Sequence, residues 1–166
     1  MKITTPRLTI RELQPTDNLA WLEIFSSERV AQFLTKITDI EAINRSINKK
    51  IEKYKINQGA SMSIVENESN KVIGNIELKV KDNQAEISYV LNDKFWNKGY
   101  CTEAVRAVIE WAFNSFPIEK IVADCIKENT ASSHILVDKL GFNFVKEEMQ
   151  NNIPFLFFEL NKLKNF

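Results

Sequence analysis

The stretch AEISYVLNDKFWNKGYCTEAVRAVIEWAF, residues 85–113, decides the fold because a strand, a turn and a helix follow one another in it. Alternating apolar residues predict a strand over 85–91, and apolar residues at helical spacing predict a helix over 102–114. The run KIVADCI, residues 120–126, is typical of a buried strand. Since a strand, a helix and a second strand need a crossover connection, we expect the two strands to be parallel neighbours.

The turn before this helix contains Gly99, one of four glycines in the chain. A helix N-terminus presents unpaired backbone N–H groups and about half a positive charge, which favour an anion. A residue without Cβ lets the backbone approach a ligand closely, and Lys98 adds a cation. The alternative is an ordinary strand-to-helix turn, because one glycine is no fingerprint. A Walker loop or a Rossmann turn would need further glycines at spacings that the chain lacks.

The segments before this stretch predict further helices and strands. A first strand is predicted over LTIREL, and a helix begins at Pro15 with Leu19, Leu22 and Phe25 on its apolar face. A second helix begins near Asp39, with isoleucines recurring at helical spacing. Turn-forming residues then separate three strands, which predicts an antiparallel meander over MSIVE, KVIGNIELKVK and AEISYVL.

The segments after it predict one more helix and two closing strands. The helix ends at Leu140, before Gly141 at the place of a C-cap glycine. The closing strands are FNFVKEE and FLFFEL; for the latter, a dimer edge or an apolar substrate wall is the alternative. We therefore expect an α/β (α+β) fold with a mixed sheet and helices on both faces, as a single domain over residues 1–166.

Charge and composition exclude several classes of function. Lysine plus arginine and aspartate plus glutamate number 22 each, so no overall field favours nucleic acid or a membrane surface. The single histidine, His134, excludes a multi-histidine metal site and argues against a serine–histidine hydrolase. The cysteines, Cys101 and Cys125, lack a paired spacing and are expected to be free thiols. Without an apolar span or a signal peptide, we expect a cytoplasmic protein, with no metal.

Residues 85–113 resemble the acetyl-CoA-binding core of the GNAT acetyltransferases, and most narrowly the branch with the ribosomal-protein N-terminal (alanine/serine) acetyltransferases. Members of that branch read roughly W-x-x-G-Y-[AGC]-T-E-A here, and residues 96–104 match. TPRLTIREL resembles the branch's first strand, KVIGNIEL its central hairpin, and KENTASSHILVDKLGF its Asn-x-x-Ser helix. The motifs follow the family's order along nearly the whole chain, so they are specific as a set.

The resemblance implies a mostly antiparallel sheet in which the strand over 85–91 splays from its parallel neighbour. Acetyl-CoA would bind in the opening as a co-substrate, with its pyrophosphate on the amides of residues 97–102, and the amine would arrive from the other side. The implied cofactor-binding residues are Tyr89, Val90, Leu91, Trp96, Asn97, Lys98, Gly99, Tyr100, Cys101, Thr102, Asn129 and Ser132. A monomer or a homodimer is expected.

The segment from Asn129 to Gly141 is one residue longer than the branch pattern. Counted forward from Asn129 the motif serine is Ser132, whereas counted back from Gly141 it is Ser133. A local bulge in the helix would absorb the extra residue. The sequence leaves open which serine faces the thioester.

Ser132 and Glu86 are the candidate catalytic residues. The branch often uses its motif serine to hydrogen bond the leaving sulfur, and helix capping is the alternative role for Ser132. Glu86, and more weakly Glu77, could polarise the amine directly or through water, and a solvated strand face is the alternative. Deprotonation near pH 7 costs roughly 1 kcal/mol for an α-amine and roughly 4.6 kcal/mol for a lysine. A site without an obvious strong base therefore favours an α-amine.

Three functions remain consistent with these residues. The first is an N-acetyltransferase acting on a primary amine such as a protein N-terminus. The second is an acetyltransferase for a small amine: a polyamine, an antibiotic or an amino acid. The third is a non-catalytic sensor that binds acyl-CoA. The cofactor half of the chain carries motifs, whereas the acceptor half carries none, so only the acceptor's identity separates the first two.

Overall fold

The computed structural model describes residues 1–56 and 59–162. In that part of the chain, eight strands form one sheet in the order β1-β2-β3-β4-β5-β6-β8-β7. The strands are β1 Lys2–Thr4, β2 Leu8–Glu12, β3 Gly59–Glu66, β4 Lys71–Lys81, β5 Gln84–Leu91, β6 Lys120–Ile126, β7 Asn143–Gln150 and β8 Ile153–Asn161. The helices are α1 Asn18–Ser26, α2 Ile40–Ile56, α3 Tyr100–Ser115 and α4 Thr130–His134, and α4 continues into a π-helical turn over Ile135–Lys139.

The pairing of β5 with β6 is parallel, and every other pairing of neighbouring strands in this sheet is antiparallel. Helix α3 provides the crossover between the two parallel strands, as the sequence predicted. The meander β3-β4-β5 is also confirmed, with β3 and β5 on either side of β4. The predicted closing strand FLFFEL is β8, which lies inside the sheet between β6 and β7.

Helices cover both faces of the sheet. Met62 of β3 belongs to the apolar cluster that contains Val105 and Val108 of α3. The next residue, Ser63, instead bonds Asp17, immediately before α1. Because successive strand residues point to opposite faces, α3 lies on one face and α1 on the other. Helix α2 packs against α1 and β3, so it covers the same face as α1.

The predicted apolar face of α1 is wrong at Leu19, which is 71% exposed. The buried residues are Trp21 and Ile24, and the predicted Leu22 and Phe25 pack partly buried on the same cluster. The chain makes a 3-10 turn over Pro15–Asp17 before α1 begins. At 3.6 residues per turn, Leu19 lies roughly 160° and 140° around the helix from Trp21 and Ile24, so it faces solvent while they face the core.

The second helix agrees with its predicted pattern. It begins at Ile40, and its Ile43 and Ile47 are fully buried against Leu13 and Trp21. No helix among residues 1–56 and 59–162 is long and apolar enough to cross a bilayer.

The buried carboxylate of Asp17 joins β2 and β3 to the start of α1. It accepts two hydrogen bonds from the Arg11 guanidinium, at 2.8 and 2.9 Å, and one from Ser63 Oγ at 2.6 Å. The Gln14 backbone N–H donates a fourth at 2.9 Å. Burial alone would raise the pKa of Asp17, but these hydrogen bonds outweigh it and lower the pKa below its usual value.

Replacing this carboxylate should destabilise the fold. We expect Asp17→Asn to lower the free energy of unfolding in urea by about 3 kcal/mol, because Arg11 loses its buried partner. Glu28→Gln is the matched control, since Glu28 pairs with Lys36 at the surface and is 81% exposed. That control should change stability by less than about 1 kcal/mol. Similar losses for both variants would contradict the role of Asp17.

The same carboxylate predicts a pH dependence of stability. A pKa that is lowered on folding stabilises the protein above the unfolded value of about 3.9 and loses that contribution as pH falls through the folded value. Between about pH 5 and pH 3, the wild type should therefore lose more stability than Asp17→Asn, measured by urea titrations at each pH. Parallel pH curves for the two proteins would show that another group dominates.

Candidate active site

The parallel strands β5 and β6 separate after a short paired segment. Only Gln84–Glu86 of β5 pairs with β6, opposite Lys120–Val122. Beyond this point β5 keeps its pairing with β4 up to Leu91, and β6 keeps its pairing with β8 up to Ile126. Each strand thus remains hydrogen bonded on one edge while the edges that face each other part. The expected splayed pair is confirmed.

A cleft of about 590 Å³ opens where the strands part. Its size is that of a small-molecule site. Of the residues that the sequence analysis proposed, the lining includes Tyr89, Val90, Leu91, Trp96, Asn97, Gly99, Tyr100, Cys101, Thr102, Asn129 and Ser132. Glu86 and Lys98 lie outside the lining. The structure therefore brings eleven of the thirteen proposed residues to one opening.

The turn before α3 holds two residues in the left-handed region, Asn97 with φ 61° and Gly99 with φ 78°. Left-handed residues that alternate with ordinary ones aim successive N–H groups to one side, which makes an anion-binding concavity. Among the described residues, the N–H groups of 97–102 donate to no backbone or side-chain acceptor. Helix α3 begins at Tyr100, so its positive N-terminal end adds to the same site. The turn has the geometry to bind a diphosphate.

Two proposed residues of this turn lie differently from their neighbours. Lys98 directs its ammonium over the Phe95 ring, 5.2 Å from the centroid, instead of into the cleft. The Trp96 indole N–H donates to the Leu91 carbonyl at 2.8 Å, and the Arg29 guanidinium lies 4.8 Å from the Trp96 ring centroid. Trp96 therefore joins the end of β5 to the turn as well as lining the cleft.

Ser132 lies at the inner wall of the cleft. Its Oγ is 2.8 Å from the Tyr89 hydroxyl, and its backbone N–H donates to the Asn129 side chain at 3.1 Å. Asn129 is thus the N-cap of α4, as well as part of the lining. Ser133 is turned away, with its Oγ bonded to the Thr130 carbonyl at 3.0 Å. Between the two candidate serines, the structure directs Ser132 to the cleft.

The extra residue of this helix is absorbed as the sequence predicted. The Leu140 N–H donates to the Ile135 carbonyl at 3.0 Å, which is the wider spacing of a π-helical turn. The helix then ends at Gly141 with φ 77°, and the Phe142 N–H returns to the Leu136 carbonyl at 2.9 Å. This is the expected glycine C-cap. The register of the chain on both sides of the bulge is thereby preserved.

Burial keeps the two cysteine thiols and the Tyr89 hydroxyl beside the cleft protonated. It raises the pKa of the Cys101 thiol to about 12 and also raises the pKa of Cys125. The pKa of Tyr89 is raised as well, first by burial. A thiolate is the nucleophilic form of cysteine, so neither thiol is activated here. The Tyr89 hydroxyl remains a hydrogen-bond donor at neutral pH.

The carboxylates near the cleft differ in their surroundings. Glu86 forms an ion pair with Lys79 at 2.7 Å and is 44% exposed. Glu77 pairs with Lys50, and its other oxygen is 3.4 Å from the Tyr54 hydroxyl. Both candidates from the sequence therefore already hold cations, Glu86 at the sheet surface and Glu77 largely covered by α2.

Asp124 is a carboxylate that sequence reasoning missed. It lines the cleft on β6, next to Cys125, at the level where β6 has left β5. Its side chain is exposed along the open cleft, yet its pKa is raised, first by partial desolvation and then by the negative charge of Glu86, while Lys79 opposes the shift. The available signal was one acid inside the otherwise apolar run KIVADCI. Tyr89 was proposed as a cofactor-binding residue, but no role was predicted for its hydroxyl.

Among the residues that the structure describes, no three His, Cys, Asp or Glu side chains come together as a metal site.

A family profile described as "Acetyltransferase (GNAT) domain" matches residues 7–143. The chain belongs to the GNAT acetyltransferases. The resemblance seen in the sequence is thus confirmed, and the protein is an acyltransferase of a family that takes its acetyl group from acetyl-CoA.

Relatives and solved structures agree with this family. The uncharacterised N-acetyltransferase p20 of Bacillus licheniformis is 30% identical over 137 residues, which cover 80% of this chain and 77% of that protein. A GNAT acetyltransferase structure from Bacillus anthracis has a TM-score of 0.85 at 24% identity, covering 97% of this chain and 98% of that one. RimL, a ribosomal L7/L12 α-N-protein acetyltransferase solved in complex with coenzyme A, has a TM-score of 0.84 at 16% identity, with 97% and 98% covered. At these identities the structures show the shared fold.

The buried thiols of this GNAT protein should react slowly. At about pH 8, a pKa near 12 in place of 8.5 lowers the thiolate fraction of Cys101 by roughly three orders of magnitude. For Cys101, measured in Cys125→Ser, we expect the native protein to react with Ellman's reagent more slowly than the protein in guanidinium, by a similar factor. Cys101→Ser and Cys125→Ser separate the two thiols. A fast native thiol in either variant would contradict the assigned environments.

Proposed function

We propose that this protein transfers the acetyl group of acetyl-CoA directly to a primary amine, with the α-amine of a protein N-terminus as the preferred acceptor. The observation that carries the proposal is the cleft itself. Free backbone amides line one end of it, at residues 97–102, and an unpaired strand edge and the Tyr89–Ser132 pair form its wall. A long donor with a diphosphate and an extended arm matches this arrangement. No metal or further cofactor is part of the proposal.

The donor would be held mostly by backbone groups. The amides of residues 97–102 would bind the pyrophosphate, and the edge of β5 would pair with the amides of the pantetheine arm. Backbone groups of successive strand residues point to opposite edges, and Val90 directs its own to Asn75 of β4. Because the Leu91 carbonyl already accepts the Trp96 indole, the pairing falls mainly to Tyr89. Leu91, Cys101 and Thr102 would pack beside the arm as part of the cleft lining.

The inner wall would stabilise the departing sulfur. Acetyl-CoA supplies the activated acetyl thioester, and its sulfur gains negative charge as the acetyl group leaves. The Tyr89 hydroxyl keeps its proton and would donate to Ser132 Oγ. The Ser132 hydrogen is then free to bond the sulfur. Burial makes such a bond stronger than it would be in water.

Asp124 would accept the proton that the amine loses. It lies on the strand opposite Tyr89, where an acceptor entering from the α1 side of the sheet would pass. A raised pKa brings a carboxylate closer to the range in which a general base works at neutral pH. Glu86, the base candidate from the sequence, would then act through its charge on Asp124.

A single carboxylate is a modest base, and this favours an acceptor that deprotonates readily. The α-amine, with a pKa of about 7.7–8.0, meets that condition far better than a lysine at about 10.4. The fold of RimL, which acts on a protein α-amine, is consistent with the same preference.

Release of CoA thiol over a panel of amines tests this function. The panel contains peptides with a free N-terminal alanine or serine and an internal lysine. It also contains the same peptides with the N-terminus blocked by acetylation, so that only the lysine amine is free, and polyamines and free amino acids. We expect turnover on the free N-termini and little on the blocked peptides. Preference for a polyamine or an amino acid would favour a small-molecule enzyme. Calorimetric binding of acetyl-CoA without turnover on any amine would favour a sensor.

Removal of the inner serine should slow chemistry more than binding. We expect Ser132→Ala to lower kcat by roughly one to two orders of magnitude, the worth of a hydrogen bond to a charged group. The Kd of acetyl-CoA from calorimetry should change little. Ser133→Ala is the matched control, because that hydroxyl bonds the Thr130 carbonyl outside the cleft. A larger effect of the control would reverse the assignment of the two serines.

Asp124 and Glu86 should leave distinct signatures in the pH profile. With saturating acceptor, kcat should fall as pH drops through the raised pKa of Asp124, since the base is then protonated. Asp124→Asn should remove most activity. Glu86→Gln should keep activity but move the acidic limb to lower pH, because the like charge that raises the pKa of Asp124 is gone. If the acidic limb of the pH profile does not move in Glu86→Gln, the charge of Glu86 does not raise the pKa of the catalytic base.

A further inference from the structure

The guanidinium of Arg7 lies directly against the outer side of the turn before α3. Its Nη1 donates to the Lys98 carbonyl at 2.8 Å. The same group approaches Gly99, since a Cβ added there would lie 3.3 Å from Arg7 Nη2. Arg7 comes from the segment between β1 and β2, far from the turn in sequence. Arg7 therefore fixes one particular peptide plane of the turn, the one that joins Lys98 to Gly99.

In a trans peptide the C=O and the following N–H point in opposite directions. The peptide bonds of the described chain are trans. Because the Lys98 carbonyl points toward Arg7, the Gly99 N–H points away from Arg7, into the concavity formed by residues 97–102. A flipped plane would reverse this and present the carbonyl oxygen there instead. A carbonyl dipole repels the anion that an N–H would bind.

Gly99 makes such a flip inexpensive. Glycine occupies positive and negative φ about equally well, so its own conformation does not select the plane's direction. The residue that permits a ligand to approach closely therefore also permits the wrong orientation. An external contact must select the correct one, and the hydrogen bond from Arg7 is the contact that the structure provides.

Arg7 is itself held in place by Glu103 of α3. Its Nε donates to Glu103 Oε2 at 2.6 Å, and its backbone N–H donates to Oε1 at 3.0 Å. The Thr5 hydroxyl also donates to Oε1, at 2.6 Å. On its other side the guanidinium lies over the Tyr100 ring, 4.5 Å from the centroid. These contacts use both the N–H groups of the guanidinium and the face of its plane, so a lysine could reproduce only part of them.

We propose that Arg7 is a positioning residue that orients the Lys98–Gly99 peptide so that the Gly99 N–H faces the diphosphate of the donor. The inference rests on the proposed function, because it assumes that the turn binds this diphosphate. Arg7 does not touch the reacting atoms, and its effect is confined to donor binding. Its loss should therefore raise the KM for acetyl-CoA and leave kcat and the acceptor's KM nearly unchanged.

The test compares Arg7→Gln and Arg7→Lys with two acetyl donors. For acetyl-CoA we expect the KM of Arg7→Gln to rise roughly 10- to 100-fold, as for the loss of a hydrogen bond to a charged group. Arg7→Lys should recover part of this loss. With S-acetyl-pantetheine, which has no diphosphate, the variants and the wild type should be equal. Arg45→Gln is the control, because Arg45 pairs with Asp39 at the surface of α2, 3.6 Å away and 72% exposed.

The outcomes separate the two proposals. If the wild type binds acetyl-CoA in calorimetry but Arg7→Gln binds it equally well, the positioning role is wrong and the proposed function stands. An equal loss with both donors would mean that Arg7 only supports the fold, which also refutes it. If the wild type does not bind acetyl-CoA, the proposed function fails first. Should Arg7→Gln not fold, Arg7→Lys decides alone: a raised KM for acetyl-CoA only supports the role, and unchanged values for both donors refute it.

Discussion

The separation of β5 from β6 is the constraint on which the rest of the structure depends. A parallel pair normally shares hydrogen bonds along its length, yet here the pairing ends at Glu86 and Val122. The strands can part without loss of their own order because β4 and β8 hold their outer edges. The inner edges are left with backbone groups that no neighbouring strand satisfies. Since unpaired backbone groups are costly when they are buried, such an opening suits an extended ligand that has amides of its own.

The crossover between these strands explains why the turn with free N–H groups lies beside the opening. Helix α3 must begin close to the end of β5 in order to return the chain to β6. Its N-terminus therefore faces the cleft as a consequence of the topology. The turn of residues 92–99 then adds left-handed residues, whose N–H groups lie next to the free N–H groups at the start of α3. Trp96 and Arg7 fix this turn from its two sides, through the Leu91 and Lys98 carbonyls.

The sequence predicted those features that local pattern controls. The parallel pair follows from a strand, a helix and a strand, and the tight turn before α3 follows from Gly99 ahead of a helical pattern. Even the bulge after His134 was predictable, because the residue count between Asn129 and Gly141 required it. The exposure of Leu19 was not predicted, because the spacing of Leu19, Leu22 and Phe25 alone does not show which side of α1 packs on the sheet. In each successful case the relevant residues lie close together in the chain.

The site contacts that sequence reasoning missed join distant segments of the chain. Tyr89 and Ser132 meet across 43 positions, and Arg7 meets Glu103 across 96. Asp124 faces the cleft only because its strand leaves β5 just before it. The alternation of residues along a strand shows on which face of the sheet a side chain lies. It does not show which residue from another segment that side chain contacts. A structure is needed to turn a tyrosine in a strand and an arginine in a loop into parts of one site.

The chemistry of the cleft favours direct transfer over a covalent enzyme intermediate. A ping-pong route would need an activated nucleophile, and burial raises the pKa of both thiols beside the cleft, which disfavours the thiolate. His134 reaches the cleft lining, but its Nδ1 bonds Asp138 at 2.6 Å. The hydroxyl next to Ser132 is that of Tyr89, whose raised pKa keeps it protonated, so it is not a base. Asp124, the carboxylate whose pKa is raised, lies on β6, across the cleft from Tyr89 on β5. It is therefore placed to take a proton from an incoming amine, and not to activate a nucleophile of the enzyme.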